Sequence, residues 1–149
     1  MRVHIGSDHA GFELKQHLVR VLADKGYEVV DHGAETYDAE DDYPPFCLAT
    51  GEAVIDDEGS LGVVIGGSGN GEAIAANKVD GVRCALAWSE DTAKLGRQHN
   101  NANVVSVGGR MHTTEEATQL VEWFLETPFS GDPRHQRRIQ ELAAYEAQR

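Results

Sequence analysis

The sequence predicts an α/β fold built on a parallel, doubly wound sheet, and three observations carry that prediction. Short apolar, β-branched runs alternate with stretches whose apolar residues recur at helical spacing. Five strand-like runs occur, each followed by such a stretch, which is the repeating unit of a parallel sheet. One run, Leu61 to Ile65 (LGVVI), is apolar without alternation, as suits a strand covered on both faces. At 149 residues the chain is long enough for one domain with a sizeable core. No repeat or low-complexity linker divides residues 1–149, and one domain is expected throughout.

Taken in order, Val3 to Gly6 reads as the first strand. Leu14, Leu18, Val21 and Leu22 then fall at helical spacing, and Gly26 ends that helix. Glu28 to Asp31 is a short second strand. The acids of residues 35–42 follow, interleaved with Thr36, Tyr37 and Ala39, and a solvated loop is expected there. A helix is expected from about Phe46 to Ile55, then the third strand at Leu61 to Ile65. The glycine-rich stretch GGSGNGE, residues 66–72, leads into the helix-like AIAANK. Arg83 to Trp88 reads as the fourth strand, and Ser89 as the N-cap of a helix through about Gln98. Val104 to Val107 is the fifth strand. Thr113 or Thr114 caps a helix whose stripe is Ala117, Leu120, Val121, Phe124 and Leu125, and a last helix runs from about Pro133 to Glu146.

Thirteen basic against 25 acidic residues give a formal charge of −12, which argues against nucleic acid or an acidic membrane as a general partner. An anionic substrate would need a local basic cluster. Cys47 and Cys84 lie in different apolar segments and read as free thiols in a reducing compartment. The start, MRVHIGSDHA, is too short and polar for a signal peptide, and no apolar run approaches the roughly 20 residues of a membrane span. A cytoplasmic protein is expected. The seven histidines show no H-x-x-x-H or H-x-H spacing, so no metal site is expected.

Ligands of open α/β sheets bind outside the carboxyl ends of the strands. Polar residues cluster after the first strand (SDHAG), after the third (GGSGNGE) and after the fifth (GGRMH), with a further segment, QHNNAN, just before the fifth. All four are expected to converge on one crevice. The glycine loop has Walker-like glycine spacing, yet Glu72 and Ala73 stand where a lysine and a hydroxyl belong, and it does not match G-x-G-x-x-G. It suits either a tight strand-to-helix turn or an oxyanion hole, with Glu72 as a general base beside the developing charge. Asp8 and His9 fit either a turn with a solvated histidine or a pair handling hydroxyl protons or phosphate. His99 and Asn100 fit either a helix end or a proton-moving imidazole with an oxyanion donor. Arg110, Arg134, His135, Arg137 and Arg138 concentrate positive charge in an acidic chain, and Arg134 and Arg138 share a helix face. Arginine suits bidentate phosphate binding, while a solvated helix face is the plainer alternative. Together these parts are the equipment for cofactor-free aldose–ketose isomerisation of a sugar phosphate.

The motifs SDHAG, GGSGNGEAIAANK, RQHNNANV, GGRMH and RHQRRI, in that order between Val3 and about Tyr145, resemble those of the type B ribose-5-phosphate isomerases. The wider family includes galactose-6-phosphate isomerase subunits. The resemblance implies a Rossmann-like three-layer α/β/α sandwich, with a five-stranded parallel sheet and an extra C-terminal helix. It implies homodimers, sometimes paired into tetramers, with active sites at the subunit interface; the residues themselves suggest no cofactor. By resemblance Asp8 and His99 of the partner subunit assist opening of the furanose ring, and Ser68 joins them among the catalytic positions. Gly67, Gly69, Asn70 and Gly71 correspond to the anion hole, Asn100 reaches the substrate oxygens, and Tyr43 borders the sugar. His9, Arg110, Arg134, His135 and Arg138 correspond to phosphate-binding positions. Many members carry a cysteine base directly after the third strand; here that position is Gly66, so the chain resembles the branch that uses a glutamate, Glu72. The implied reaction is D-ribose 5-phosphate to D-ribulose 5-phosphate through a cis-enediolate, in the non-oxidative pentose phosphate pathway. A six-carbon substrate such as allose 6-phosphate or galactose 6-phosphate is the alternative within enzymes, and a non-catalytic sugar-phosphate sensor is the alternative outside them.

Overall fold

The computed structural model describes all of residues 1–149. Its elements are β1 (Arg2–Ser7), α1 (Phe12–Asp24), β2 (Glu28–Asp31), α2 (Tyr43–Asp56), β3 (Leu61–Gly66), α3 (Asn70–Ala76), β4 (Cys84–Leu86), α4 (Glu90–Asn100), β5 (Val104–Gly108), α5 (Thr114–Glu126) and α6 (Pro133–Ala147), with a 3-10 turn at His9–Gly11 between β1 and α1. The five strands are all parallel, in the order β2-β1-β3-β5-β4. The chain leaves β1 toward one edge and returns on the other side for β3. The carboxyl ends of β1 and β3 therefore flank the crevice where the winding reverses.

Alternation along the strands divides the core between two faces. Val3, Ile5, Val63, Ile65, Val105 and Val107 pack under α1 and α5, with Ala93 of α4 on the same side. Val64 and Val104 face the other way, onto Cys47 and Val54 of α2 and Ala75 and Ala76 of α3. The result is a three-layer α/β/α sandwich. Helix α6 lies outside it, and only His135 of that helix is buried. Its Leu142 and Tyr145 are 60% and 68% exposed, so an apolar stretch of α6 has no cover within the chain.

Several boundaries differ from those read in the sequence. Helix α2 begins at Tyr43, because prolines 44 and 45 fall in its first turn, where a missing N–H costs nothing. Strand β4 spans only Cys84–Leu86, at the sheet edge, and Trp88 lies beyond it in solvent. Helix α4 runs on to Asn100, and Asn101 stops it in the left-handed conformation at φ 42°. The capping signals at Ser89 and Thr113 act as read: each hydroxyl accepts an N–H three residues on.

Candidate active site

Strand β3 is buried along its length, and its exit turns into α3 through Gly67, Ser68 and Gly69. Gly69 has φ 87°, a region that glycine enters without strain, and a Cβ there would meet Leu86 Cδ1 at 2.7 Å. The Gly69 carbonyl accepts from Ser106 Oγ at 2.7 Å, so a hydroxyl on β5 pins the turn. The N–H groups of Gly109 and Arg110 donate to the carbonyls of Gly66 and Gly67 at 2.7 and 3.1 Å. The loop is thus laced through its carbonyls to the exit of β5.

Glu72, the third residue of α3, is only 4% exposed. Its Oε1 accepts from the Gly69 N–H at 3.0 Å. This is the carboxylate half of a capping box; glycine has no side chain to supply the other half. Burial pushes the Glu72 carboxyl above the usual carboxylate range, and Asp8 adds to the rise, while the N–H groups of Glu72 itself and Gly69 oppose it. Gly66 makes this placement possible. A Cβ at 66 would fall on the carboxyl carbon and both oxygens of Glu72.

Asp8 is buried at the end of β1 and accepts from the Ala10 N–H at 3.0 Å, capping the His9–Gly11 turn. The His9 ring donates from Nδ1 to Asp41 Oδ1 at 2.7 Å, and its backbone N–H donates to the same oxygen at 2.9 Å. The bond from Asp41 pushes the His9 imidazole above its ordinary value; burial and Arg110 oppose this, and Asp8 supports it. Residues 35–42 form the solvated loop expected, with only Asp41 turned partly inward. They carry Asp41 onto His9 and set Tyr37 edge-on to the rings of His9 and Phe12, at 6.4 and 6.1 Å. Asp8, His9 and Asp41 bring three ligand-type atoms within 4.8 Å of one another, a closeness that the His9–Asp41 bond accounts for.

Tyr43 lies over Gly71: a Cβ there would meet its Cζ at 2.6 Å. Exposed Arg110 crosses the loop above Gly67, with its Cδ and one terminal nitrogen each 3.6 Å from where a Cβ would stand. Ser68 Oγ accepts from the Asn70 N–H at 3.2 Å. The carboxyl edge of the sheet thus unites Asp8, His9, Tyr43, the loop 66–71, Glu72 and Arg110. Cys47 and Cys84 are free and lie outside the loop. Burial pushes the Cys47 thiol up to about 12 and raises Cys84 as well, so neither offers a thiolate near neutrality.

The remaining expected residues are not in that crevice, which corrects the expectation that four segments converge within the chain. Helix α4 runs back against the strands, so His99 and Asn100 end at the amino edge of the sheet. Arg83, just before β4, marks the place: its Nε donates to the Asn100 carbonyl at 3.0 Å and a terminal nitrogen donates to that of Asn101 at 2.9 Å. Only loops that leave a strand reach the carboxyl edge, and the segment 98–103 enters one. The five residues of β5 put roughly 16 Å between the two groups. At the amino edge the His99 ring stacks on His135 with centroids 4.2 Å apart. Ser130 Oγ lies 3.0 Å from His135 Nδ1. Burial, then His99 and the nearby Arg134 and Arg138, hold the His135 imidazole below its ordinary value. Arg134 and Arg138 are exposed beside it. The basic positions are thereby divided: His9 and Arg110 on the side of Glu72, and Arg134, His135 and Arg138 with His99 on the other.

Two residues that shape the site were not singled out in the sequence. Ser106 carried a signal, as the one polar residue of VVSVG, buried between valines. Asp41 carried none, since it is one acid among several in a loop.

Comparisons with known proteins agree with this architecture. Residues 3–142 match the family model described as Ribose/Galactose Isomerase. Over 146 residues the chain is 60% identical to ribose-5-phosphate isomerase B of Mycolicibacterium paratuberculosis, covering 98% of this chain and 92% of the relative. It is 59% identical to that of Mycobacterium tuberculosis strain H37Rv, covering 98% and 90%. Among solved structures, ribose-5-phosphate isomerase B from Mycoplasma genitalium with bound ribulose-5-phosphate superposes with a TM-score of 0.95 at 42% identity, covering 99% of this chain and 97% of that one. Type B ribose 5-phosphate isomerase from Trypanosoma cruzi gives 0.94 at 41% identity over the whole of both chains. On the span of the family match and the identity to these relatives, the chain belongs to the ribose/galactose isomerase family.

Proposed function

We propose that this chain interconverts D-ribose 5-phosphate and D-ribulose 5-phosphate through a cis-enediolate, without a cofactor, in the non-oxidative pentose phosphate pathway. The observation that carries the reading is the buried Glu72 carboxylate, held against the glycine loop in space that Gly66 leaves open. Glu72 takes the proton from C2 and returns it to C1. Its raised carboxyl value makes it a stronger base than an exposed glutamate, closer to the optimum for proton transfer near neutrality. The oxyanion that forms meets backbone N–H groups of the loop from Gly67 to Gly71, with Ser68, Asn70 and Asn100 beside the substrate oxygens. Asp8 and His99 move the protons that open the furanose ring, and Tyr43 borders the sugar. His9, Arg110, Arg134, His135 and Arg138 hold the phosphate. The relatives' names and the bound ribulose-5-phosphate of the Mycoplasma protein support the choice of a five-carbon substrate.

The reading requires a homodimer with shared sites. Within one chain Glu72 and the group of His99, Arg134 and His135 stand at opposite edges of the sheet, too far apart for one pentose phosphate to touch both. A second copy that docks its amino edge onto this carboxyl edge completes two sites by symmetry, and the uncovered apolar stretch of α6 supplies contact area. The two free cysteines suit the cytoplasm.

The test is direct. Purified protein is given ribose 5-phosphate in chelator and ribulose 5-phosphate is followed, for the wild type and Glu72→Gln. Metal-independent turnover is expected, falling about 10²–10⁴-fold in the variant. A variant that keeps its rate overturns the assignment of the base. Binding without turnover by the wild type identifies a sensor, and faster turnover of a six-carbon phosphate reassigns the substrate.

A further inference from the structure

The His9 imidazole is the one phosphate-binding candidate at the carboxyl edge whose charge depends on a proton, and its surroundings are built around it. Asp41 Oδ1 accepts both the ring Nδ1–H and the backbone N–H of His9. The Asp41 side chain is 11% exposed, and its other oxygen, Oδ2, has no hydrogen-bond partner. A carboxylate so placed has His9 alone to compensate it, and burying one uncompensated is costly. The segment that brings it there is ordered by its own bonds. The Ser7 carbonyl accepts from the Ala34 N–H at 2.8 Å, and Asp38 accepts from the N–H groups of Glu40 and Asp41 at 3.0 and 3.1 Å. Tyr37 leans on His9 from the same segment, and Tyr43, where it ends, lies over the glycine loop.

We propose that Asp41 is a positioning residue: it holds His9, through Nδ1, in the orientation and the protonated form that binds the substrate's phosphate. The inference rests on the reading of His9 as a phosphate ligand. A carboxylate only accepts, so the Nδ1 facing Asp41 carries hydrogen. The ring's second nitrogen, Nε2, then presents a lone pair when His9 is neutral and an N–H when it is charged. Only the charged form attracts a phosphate dianion. The groups facing His9 are Asp41 and Tyr37 from the 34–42 segment, Asp8 beside it in the chain and Arg110 after β5; of the charged ones only Arg110 opposes protonation. Asp41 thus favours the charged form of His9, against burial and Arg110. The side chain of His9 is 23% exposed, which leaves the ring open to a ligand.

The test uses Asp41→Asn, which keeps size and an acceptor oxygen and removes the charge. The His9 ring is titrated by NMR in the free dimer, and KM and kcat for ribose 5-phosphate are measured against pH, with inorganic phosphate as a competing ligand. In the variant the titration midpoint of His9 falls. KM near pH 8 rises about tenfold while kcat stays within about twofold, and the KM gap narrows as pH falls and His9 of the variant takes up its proton. In a His9→Gln background Asp41→Asn leaves KM unchanged. An unmoved His9 titration overturns the proposal. So does a KM gap equal at every pH, which describes a structural role only, or a loss confined to kcat. Should the wild type fail to isomerise ribose 5-phosphate, the proposed reaction falls on its own. The titration and the pH dependence of inorganic phosphate affinity then still decide the role of Asp41.

Discussion

The two edges of the sheet are built differently. At the carboxyl edge the candidate base is fixed: Glu72 is buried, bonded to Gly69, and the loop beside it is tied to β5 by two carbonyls and Ser106. At the amino edge the polar group is open. His99, Asn100, Arg134 and Arg138 are exposed, and only His135 is buried. Proton transfer at carbon depends on a base placed to within a fraction of an ångström, and a fixed side chain supplies that. A phosphate dianion is held by charge and by planar guanidinium forks, which exposed arginines can present. The contrast teaches that, on the proposed reading, neither edge of one chain is a whole site: the candidate base stands at one, and three of the five phosphate-binding candidates at the other.

Four experiments break or sharpen that contrast. The largest effect is expected from mixed dimers. Glu72→Gln and His99→Asn each disable both sites of their own homodimer, but co-expressed they form a mixed dimer with one intact site. With random pairing half of the dimers are mixed, each with one intact site of two, so total activity should return from background to about a quarter of wild type. No recovery would place both edges' residues in separate, single-chain roles. Next, Gly66→Ala drives a methyl group into the Glu72 carboxylate. We expect kcat to fall about 10²-fold by misplacement of the base, with KM little changed. A wild-type kcat would show that the position of Glu72 does not matter. Arg134→Ala, at the open edge, should instead raise KM by about tenfold with kcat preserved, the loss of one charged hydrogen-bond donor. Unchanged kinetics would make Arg134 a solvated helix residue.

The smallest effect is on stability. Burial raises the Glu72 carboxyl, so the folded state holds that proton more tightly than the unfolded chain does. The associated stability is present below the unfolded value, about 4.3, and is lost as pH rises through the raised folded value. Glu72→Gln should therefore melt above wild type at neutral pH, with the difference vanishing near pH 4. A variant that melts lower at neutral pH would mean that the Gly69 bond outweighs desolvation.

The strands and helices were legible because their signals are local. The LGVVI run and the stripe of Ala117, Leu120, Val121, Phe124 and Leu125 state burial and period in one short stretch. The helix start at Tyr43, ahead of the expected Phe46, was hidden because proline marks both turns and first helical turns, and only the chain's later course decides which. The glycine loop and Glu72 were legible as a unit, since both leave the same strand. The placement of His99 and Asn100 was not, because their segment enters β5, and edge follows from direction of travel rather than from residue type. Asp41 was hidden for another reason. Its partner His9 lies 32 residues away, and nothing in an acidic stretch says which carboxylate turns inward.

Gly66 also has an evolutionary consequence. A side chain at 66 and the carboxylate of residue 72 claim the same volume, so the two positions are epistatic. A side chain gained at 66 makes the end of residue 72 turn aside or calls for a shorter residue there. While Glu72 remains, it also pushes that carboxylate away from the Gly69 N–H. The cost of a change at either position is therefore set by what occupies the other.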